Sequence, residues 1–465
     1  MKQKSYKKKL LVLFTSILPL TIALTACDQV DYVFPVKLNN SFKIQQANKN
    51  HRVAVFGTTS RQKDLSINHA TYDGAFRTAV QLNTQAPRFF PNKDPNLKAS
   101  YFESYDEARK LPYFKYWFLV GQQNLEPIKE YWNIYQSFFE SNEVFFVAID
   151  FKLPENFANG RSISYQFDIT NPAYIIGYAA SKYIANVIAN RENRGISVFQ
   201  GADYPAYNQF SRNFLDGVLA YNYLSEPRDR VFITKENIDR SAGLFNSPQL
   251  KNAVKNNISP KTTLTLPIAG LDGTKETIDY YQENRQIGYV VGVEGNQELD
   301  FYYQDYRFFS SITKNYAQVA YEVAADLFGR TNIVLKDLNY NPNKDNLNPG
   351  INLLFSGPEY VSYTKPTTAN PTVSQRYIDD GKKLLDSLDN NERINVFGID
   401  SAFEANVSGS LLFKTQQINR LYQSSDSPAT EDLYPLQLGQ LAKDNPAAAQ
   451  GNFLAPPKPN STSNQ

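Results

Sequence analysis

The segment Arg52-Val-Ala-Val-Phe-Gly57 decides the fold. A short apolar run that ends at a glycine is typical of a buried strand. A polar loop, Thr58 to Asn68, follows it, and Thr71 to Leu82 then carries apolar residues at helical spacing. Strand, polar loop and helix in this order open a doubly wound α/β unit, in which ligands bind outside the carboxyl ends of the strands.

The same alternation continues towards residue 390. Further strands are predicted at 116–121, 144–150, 162–167, 195–201, 231–234, 262–269, 287–292 and 351–355. Further helices are predicted at 103–110, 128–139, 173–189, 210–223, 249–256, 275–284, 315–327 and 372–388. Such alternation predicts parallel sheets with helices on both faces. Because this many units exceed one open sheet, we predict an α/β fold of two doubly wound, Rossmann-like lobes joined by a hinge, with a C-terminal extension.

Shifts in composition set the predicted domain boundaries. The first lobe is expected to take residues 51–160 and 290–350, and the second lobe residues 161–290 and 351–390. Residues 86–112, with their prolines and charges, are predicted as an inserted loop with a short helix. Beyond this body we predict a C-terminal extension at 391–443 and, from its Asn, Pro and Ser content, a disordered tail at 444–465.

The first residues have the three parts of an export signal. They are a lysine-rich start, an apolar run from Leu10 to Leu24 and an exit of small residues. The run is shorter than the roughly 20 apolar residues of a membrane-spanning helix. We therefore predict a signal peptide at 1–26, followed by a tether at 27–50.

The exit Leu24-Thr-Ala-Cys27 resembles the lipobox of bacterial lipoproteins, and Cys27 is the only cysteine in the chain. The resemblance implies that acyl chains on Cys27 anchor the mature chain to the outer face of the cell membrane. An ordinary signal peptide, or an uncleaved anchor with an incidental cysteine, is the alternative interpretation.

Charge and motifs exclude several classes of function. Loss of residues 1–26 changes the formal net charge from +2 to −3, far from the basic surface that nucleic acids require. His51 and His69 are the only histidines, and neither stands at a metal-ligand spacing. The sequence contains no nucleophile elbow, phosphate loop or dinucleotide fingerprint. It therefore predicts a protein that is not an enzyme and needs no cofactor or metal.

Several segments resemble one family in their order and spacing. They are Lys63–Asn68, Gly195–Asp203 with Phe210–Gly217, Gly243–Pro248, Gly292–Glu294 and Ser310–Lys314. From about Val53 to Leu388 the chain resembles the basic membrane protein family of substrate-binding lipoproteins, which includes purine nucleoside receptors of ABC importers. The resemblance implies a type I periplasmic-binding-protein fold, a monomer whose two lobes close on a nucleoside, and an ABC permease as partner.

The resemblance also implies a set of ligand-binding residues. Phe245 would stack on the base, because flat rings attract through dispersion and ring electrostatics. Glu294 would accept the ribose hydroxyls, since a carboxylate takes two charge-assisted hydrogen bonds from a vicinal diol. The resemblance implies polar contacts from a further group of residues: Asp64, Asn68, Asp150, Lys314 and the backbone of Gly270.

Two positions depart from the family pattern. Ile67 stands where the family has an aromatic residue, and Thr58 stands where it has an acid. A base would then lie between Phe245 and an aliphatic side chain, unless Tyr72 or His69 supplies the second ring. Both positions are still expected to line the site.

Other interpretations stay open beside this one. The acids at 150 and 294 could cap helices, Phe245 could belong to the core, and Lys314 could face solvent. The same scaffold could serve adhesion or host contact, or bind another small solute such as a sugar. A hydrolase that cleaves nucleosides would need a cluster of acids or a metal site, which the sequence does not contain.

Overall fold

The computed structural model describes residues 35–44, 46–58, 67–235, 237–329 and 351–387. From Val36 onward these residues belong to one compact unit. The signal peptide at 1–26, Cys27, Asp64, the extension at 391–443 and the tail at 444–465 lie outside the described residues.

Strands and helices alternate along the chain. The strands are β1 Arg52–Phe56, β2 Arg88–Phe90, β3 Phe114–Val120, β4 Phe145–Ile149, β5 Ser162–Phe167, β6 Gly195–Gln200, β7 Phe232–Ile233, β8 Thr262–Ile268, β9 Tyr289–Glu294, β10 Phe308–Lys314, β11 Ile351–Phe355 and β12 Val361–Tyr363. The helices are α1 Ile67–Leu82, α2 Lys98–Arg109, α3 Leu125–Ser141, α4 Thr170–Val187, α5 Pro205–Leu224, α6 Pro248–Asn257, α7 Gly270–Glu283, α8 Tyr316–Gly329 and α9 Pro371–Ser387.

Two six-stranded sheets form the two lobes. The first has the order β11-β5-β4-β3-β1-β2, and its paired strands are all parallel. The second has the order β12-β10-β9-β8-β6-β7, in which only β12 runs antiparallel to its neighbour. Every residue of β4 and of β8 is buried, as expected where helices cover both faces of a parallel sheet.

The two sheets repeat one topology. The order β2-β1-β3-β4-β5 in the first lobe corresponds to β7-β6-β8-β9-β10 in the second, and a late strand completes each sheet. Within the described residues the chain crosses between the lobes at 168–169, at Asn315 and at 356–360. After each of the first two crossings, the next helix packs on the lobe that the chain has entered. α4 packs on α5 of the second lobe, and α8 packs on α1 of the first.

The sheets divide the chain differently from the expected lobe boundaries. β5 lies in the first sheet although residue 161 was the expected start of the second lobe, and β11 also joins the first sheet. β9 and β10 lie in the second sheet, although 290–350 was assigned to the first lobe. Alternation along the chain gives the order of strands, but buried parallel strands look alike in sequence, so it does not say which sheet each strand joins.

Residues 86–112 are an integral part of the first lobe and not an inserted loop. β2 is the edge strand of the sheet and pairs with β1 in parallel, at Phe89 opposite Val55. α2 follows it, and its buried Tyr105 packs edge-on to Phe56 at a ring distance of 5.0 Å. The segment therefore forms the second strand–helix unit of the sheet.

The described part of the expected tether is folded onto the first lobe. The Phe42 side chain is buried edge-on to Tyr321 of α8, with a ring distance of 5.6 Å. The backbone N–H of Asn39 donates to the Tyr321 hydroxyl at 2.7 Å, and Asn48 Nδ2 donates to the carbonyl of Phe328 at 3.0 Å. Residues 36–50 are therefore docked along α8 and do not hang free.

Candidate ligand-binding site

A cavity of about 320 Å³ lies between the two lobes, at the carboxyl ends of their strands. The first lobe contributes Thr58, Ile67, Asn68, Lys93, Pro95, Gly121, Gln122, Gln123 and Asp150. The second contributes Tyr204, Ala206, Tyr207, Leu244, Phe245, Asn246, Gly270, Leu271, Asp272, Val293, Glu294, Gly295, Gln297 and Asp300. This is the position at which doubly wound sheets bind ligands, and the volume lies at the lower end of the range for small-molecule sites, about 300–1,000 Å³.

Equivalent strands of the two lobes end at residues with positive φ at this cavity. Gly121 after β3 and Gly270 after β8 have φ of 79° and 66°. Asp150 after β4 and Glu294 at the end of β9 have φ of 66° and 69°. For a residue with a side chain this conformation costs on the order of 1–3 kcal/mol, and such residues cluster at ligand sites. The turn aims both carboxyl-bearing residues at the cavity from opposite lobes.

Asp150 is bound from both lobes. Lys314 Nζ, at the end of β10, donates to Asp150 Oδ2 at 2.7 Å, and the hydroxyl of Tyr316, at the start of α8, donates to the same oxygen at 2.9 Å. The Lys314 side chain is 0% exposed, and that of Asp150 is 6% exposed. Asp150 lines the cavity, whereas Lys314 lies behind the wall. Burial, with the negative charges of Asp150 and Glu294 next, raises the pKa of Tyr316 well above its usual value.

Asn68, near the start of α1, is hydrogen-bonded to Thr58, which lies two residues after β1. Its Oδ1 accepts the backbone N–H of Thr58 at 3.0 Å, and its Nδ2 donates to the Thr58 hydroxyl at 3.3 Å. Asn68 is buried, and together with Ile67 and Thr58 it lines the cavity. These contacts hold the Asn68 side chain beside Thr58 at the cavity wall.

Phe245 stands in a short loop of the second lobe and not in the core. Gly243, with φ of 92°, begins the loop, and the backbone N–H of Asn246 donates to Asp272 Oδ2 at 2.9 Å. That bond ties the loop to the first turn of α7, beside Gly270. Phe245 is half-buried and contributes its ring to the cavity wall.

The structure brings most of the predicted site residues together. Seven line the cavity: Thr58, Ile67, Asn68, Asp150, Phe245, Gly270 and Glu294. Lys314 reaches the site only through Asp150, so it neither contacts the cavity directly nor faces solvent. Asp64 lies outside the described residues. Of the two residues considered as a second ring, neither Tyr72 nor His69 is among the described residues of the cavity wall.

Comparison with known proteins rests on the structure alone. No family model matches the chain, and no curated protein matches its sequence. An ABC transporter solute-binding protein from Aeropyrum pernix K1 matches with a TM-score of 0.52 and 17% identity, over 76% of this chain and 99% of that one. The two proteins share a fold. The predicted fold class, two doubly wound lobes of the type I periplasmic-binding-protein kind, is confirmed.

Two further solved structures match at lower TM-scores. A 5-methylthioribose transporter solute-binding protein from Thermotoga lettingae, in complex with 5-methylthioribose, has a TM-score of 0.42 and 13% identity, over 73% of this chain and 99% of that one. A transcriptional activator of the comK gene from Bacillus halodurans has a TM-score of 0.44 and 13% identity, over 77% and 98% of the two chains.

Sequence reasoning missed two aromatic residues of the site. Tyr204 and Tyr207 stand at the start of α5, with ring centroids 5.5 Å apart, and both line the cavity. Burial raises the pKa of Tyr207 well above its usual value, and the charges of Glu294 and Asp150 and the neighbouring Tyr204 act in the same direction. Pro205 at the first helical position was the available signal, because proline favours that position.

The charged residues of the cavity wall are mostly acidic. Asp150, Asp272, Glu294 and Asp300 face it with Lys93 as the opposing charge, and the buried Lys314 compensates Asp150 from behind. Such a wall accepts hydrogen bonds from hydroxyl and amine groups and disfavours anions.

Among the described residues there is no group of three or more His, Cys, Asp or Glu side chains that could hold a metal ion. The described helices include none with the length and apolar character needed to span a membrane.

Proposed function

We propose that this chain is a lipid-anchored, extracytoplasmic solute-binding protein of an ABC importer, and that its cleft binds a nucleoside, with a purine as the preferred base. Membership of the basic membrane protein family is part of the proposal. The observation that carries it is the meeting of Phe245, Glu294 and Asp150 in one cavity between two lobes. Phe245 and Glu294 come from different motifs of the resemblance, Asp150 follows β4, and none of the three is close to another in sequence.

The base fits the aromatic part of the cavity. Phe245 offers a ring from the second lobe, and Ile67 offers an aliphatic surface from the first. Tyr204 and Tyr207 add two further rings to the wall from the second lobe. Offset stacking between a ring and a flat heterocycle adds stabilisation beyond burial alone. A purine presents the larger face of the two base classes.

The ribose fits the carboxylates. Glu294 and Asp150 approach from opposite lobes on strained backbone turns, and ionised carboxylates are strong acceptors for a vicinal diol. The acidic wall also disfavours a phosphate group. The proposed ligand is therefore an uncharged nucleoside, and the site has no role in breaking its glycosidic bond.

Cys27 would attach the chain to the membrane, and the two-lobed fold would deliver the solute to the permease. Acylation of Cys27 would hold the mature chain at the membrane, where the lobes close on the solute and the closed form meets the permease. The three lobe crossings supply the segments about which such closure takes place.

A thermal-shift screen of purified residues 28–465 tests the proposal. The probes are adenosine, guanosine, inosine, uridine, adenine, D-ribose and AMP. We expect purine nucleosides to raise the melting temperature most, because ligand at 100 times its Kd adds about 2.7 kcal/mol to the free energy of unfolding. AMP, with the same base and a phosphate, is the matched control and should give a smaller shift. If no nucleoside changes the melting temperature at millimolar concentration, the nucleoside proposal fails.

A sugar is the second candidate ligand. Aromatic faces and carboxylates are also the groups that bind sugar rings and hydroxyls, and the wall provides both. A shift with D-ribose or another free sugar, in the absence of one with any nucleoside, would favour this alternative.

A further inference from the structure

One ion pair joins the two lobes behind the cavity. Lys314 ends a strand of the second sheet, and Asp150 follows a strand of the first, yet Nζ and Oδ2 lie 2.7 Å apart. Both side chains are almost completely excluded from solvent. The ammonium group also lies 4.7 Å from the centre of the Phe210 ring in α5. Lys314 is thus held by its own lobe while it contacts the other.

Only the Asp150 half of this pair reaches the cavity. Asp150 lines the wall, and its Oδ2 is occupied by Lys314 and by Tyr316. The carboxylate's second oxygen remains the one available to a ligand. Burial of a charged carboxylate costs desolvation free energy. Removal of its counter-ion leaves that cost uncompensated and strongly destabilises the folded protein. The position of the Asp150 carboxylate in the cavity wall therefore depends on Lys314.

The pair also depends on the arrangement of the lobes. A hydrogen-bonded distance of 2.7 Å between residues of different sheets exists only while the strand ends of both lobes face each other. Lys314 directly precedes the crossing at Asn315, so rotation of the lobes about that segment would change how the ammonium group meets the carboxylate. The orientation of Asp150 in the cavity is in this way linked to closure.

We propose that Lys314 is a positioning residue, which holds the Asp150 carboxylate in the cavity wall from the opposite lobe and so couples lobe closure to ligand binding without touching the ligand. This rests on the proposed function for the ligand, but the contact between the lobes does not require a ligand.

A double-mutant cycle separates action through Asp150 from direct contact. Isothermal titration would measure the Kd of adenosine for wild type, Lys314→Met, Asp150→Asn and the double variant. We expect each single variant to weaken binding at least tenfold, and the double variant to bind within threefold of Asp150→Asn, because effects that act through one group do not add. Lys314→Arg, which keeps the charge, should restore most of the affinity.

Two results of the cycle would overturn the proposal. A further tenfold loss on adding Lys314→Met to Asp150→Asn would mean that the lysine contacts the ligand itself. Wild-type affinity in Lys314→Met would mean that it has no role. If Lys314→Met does not fold, the double variant, which removes both buried charges, and Lys314→Arg still decide between these outcomes.

Hydrogen–deuterium exchange without ligand keeps the test independent of the proposed function. Lys314→Met should increase exchange in the peptide covering 145–155, in the opposite lobe. Lys182→Met is the matched control, because Lys182 pairs with Asp380 at 2.8 Å within the second lobe, and it should leave that peptide unchanged. If no solute from the screen binds, the proposed function fails, and unchanged exchange at 145–155 in Lys314→Met would then overturn the positioning role as well.

Discussion

Asp150 and Glu294 occupy equivalent places in the two lobes. Each stands at the carboxyl end of the fourth strand of its sheet, in a left-handed conformation that glycine adopts more easily. Glycine would remove the strain but also the carboxyl group. The retention of a carboxylate at both places therefore fits a requirement for acceptors in the cavity.

Phe245 should contribute to binding and little to folding. Base–aromatic stacking is worth about 1–3 kcal/mol on substitution by alanine, so Phe245→Ala should raise the Kd for a purine nucleoside by about tenfold or more. The half-buried ring lies outside the core, and the melting temperature without ligand should change little. Calorimetric titration and thermal unfolding measure the two quantities.

Tyr302→Ala is the matched control for this change, because that ring is 77% exposed and does not line the cavity. An unchanged Kd in Phe245→Ala would mean that the ring does not contact the ligand.

Glu298 should make stability depend on pH. Burial raises its pKa, although hydrogen bonds from Thr364 and Ser311 oppose the shift. The folded protein thus holds this proton at pH values where the unfolded chain has lost it, so stability falls as pH rises from the ordinary glutamate pKa to the raised one and stays reduced above it. Glu298→Gln should therefore melt about 2 °C higher than wild type at pH 7.5 and show no gain at about pH 4.

The control for this prediction is Glu107→Gln, whose carboxylate is 52% exposed in a surface pair with Arg88. A gain for Glu298→Gln that is equal at both pH values would contradict the burial argument.

At the scale of elements, each lobe is held by one closely packed helix pair, α4 with α5 in the second lobe and α1 with α8 in the first. α4 and α5 approach closely because glycines face backbone: a Cβ at Gly177 would overlap the carbonyl oxygen of Phe214, and one at Gly217 would overlap that of Tyr174. In the first lobe, Gly74 of α1 meets the carbonyl of Ala317 in α8 in the same way. Glycine at these helix contacts lets the two main chains touch, which fixes α4 on the second lobe and α8 on the first.

Gly217→Val should therefore destabilise the second lobe. The added side chain forces α4 and α5 apart, and overpacking of this kind costs typically about 1–3 kcal/mol. We expect a fall of at least 2 kcal/mol in the free energy of unfolding, measured by urea titration followed by circular dichroism. Val187→Leu, on the 43% exposed end of α4, adds bulk without a neighbouring backbone and should be nearly neutral. Equal stability of the two variants would refute the close-contact argument.

The alternation of elements was predictable because apolar runs such as 145–149 fill both faces of a buried parallel sheet. β10 was not predicted from the sequence, because it is buried but carries polar residues. Its Ser310 and Ser311 are buried, but their hydroxyls bond Thr364 and Glu298, so the strand looks polar in sequence. β2 and β12, with three residues each, are too short for a period-2 pattern.

The candidate site was predictable only in part, and for a physical reason. Residues at strand ends meet because parallel strands share an edge, which is why Asp150 and Glu294, both implied by the family resemblance, line one cavity. The role of Lys314 depends on a contact 164 positions away, and no local pattern encodes such a pairing. Tyr207 reaches the cavity because α5 begins at Pro205, five residues before the apolar spacing predicts a helix.

At the scale of the whole molecule, the N-terminal segment links the body to the proposed anchor. Packing of Phe42 on Tyr321 and the bond from Asn48 to Phe328 fix residues 36–50 on the first lobe. The α8 helix that receives them follows directly from Lys314 and carries Tyr316. One helix therefore contacts both the N-terminal segment and the interlobe ion pair.

Cys27→Ser tests how the chain is attached to the membrane. Each buried methylene of an acyl chain contributes about 0.8 kcal/mol to membrane binding, so loss of the thiol should move the protein from the membrane fraction to the soluble fraction in a bacterium that processes lipoproteins. Labelling with radioactive palmitate should disappear with it. Ser41→Ala, a change of similar size at an exposed position, should leave both unchanged. If Cys27→Ser stays in the membrane fraction, residues 1–26 remain attached as an uncleaved anchor, and the lipobox interpretation is wrong.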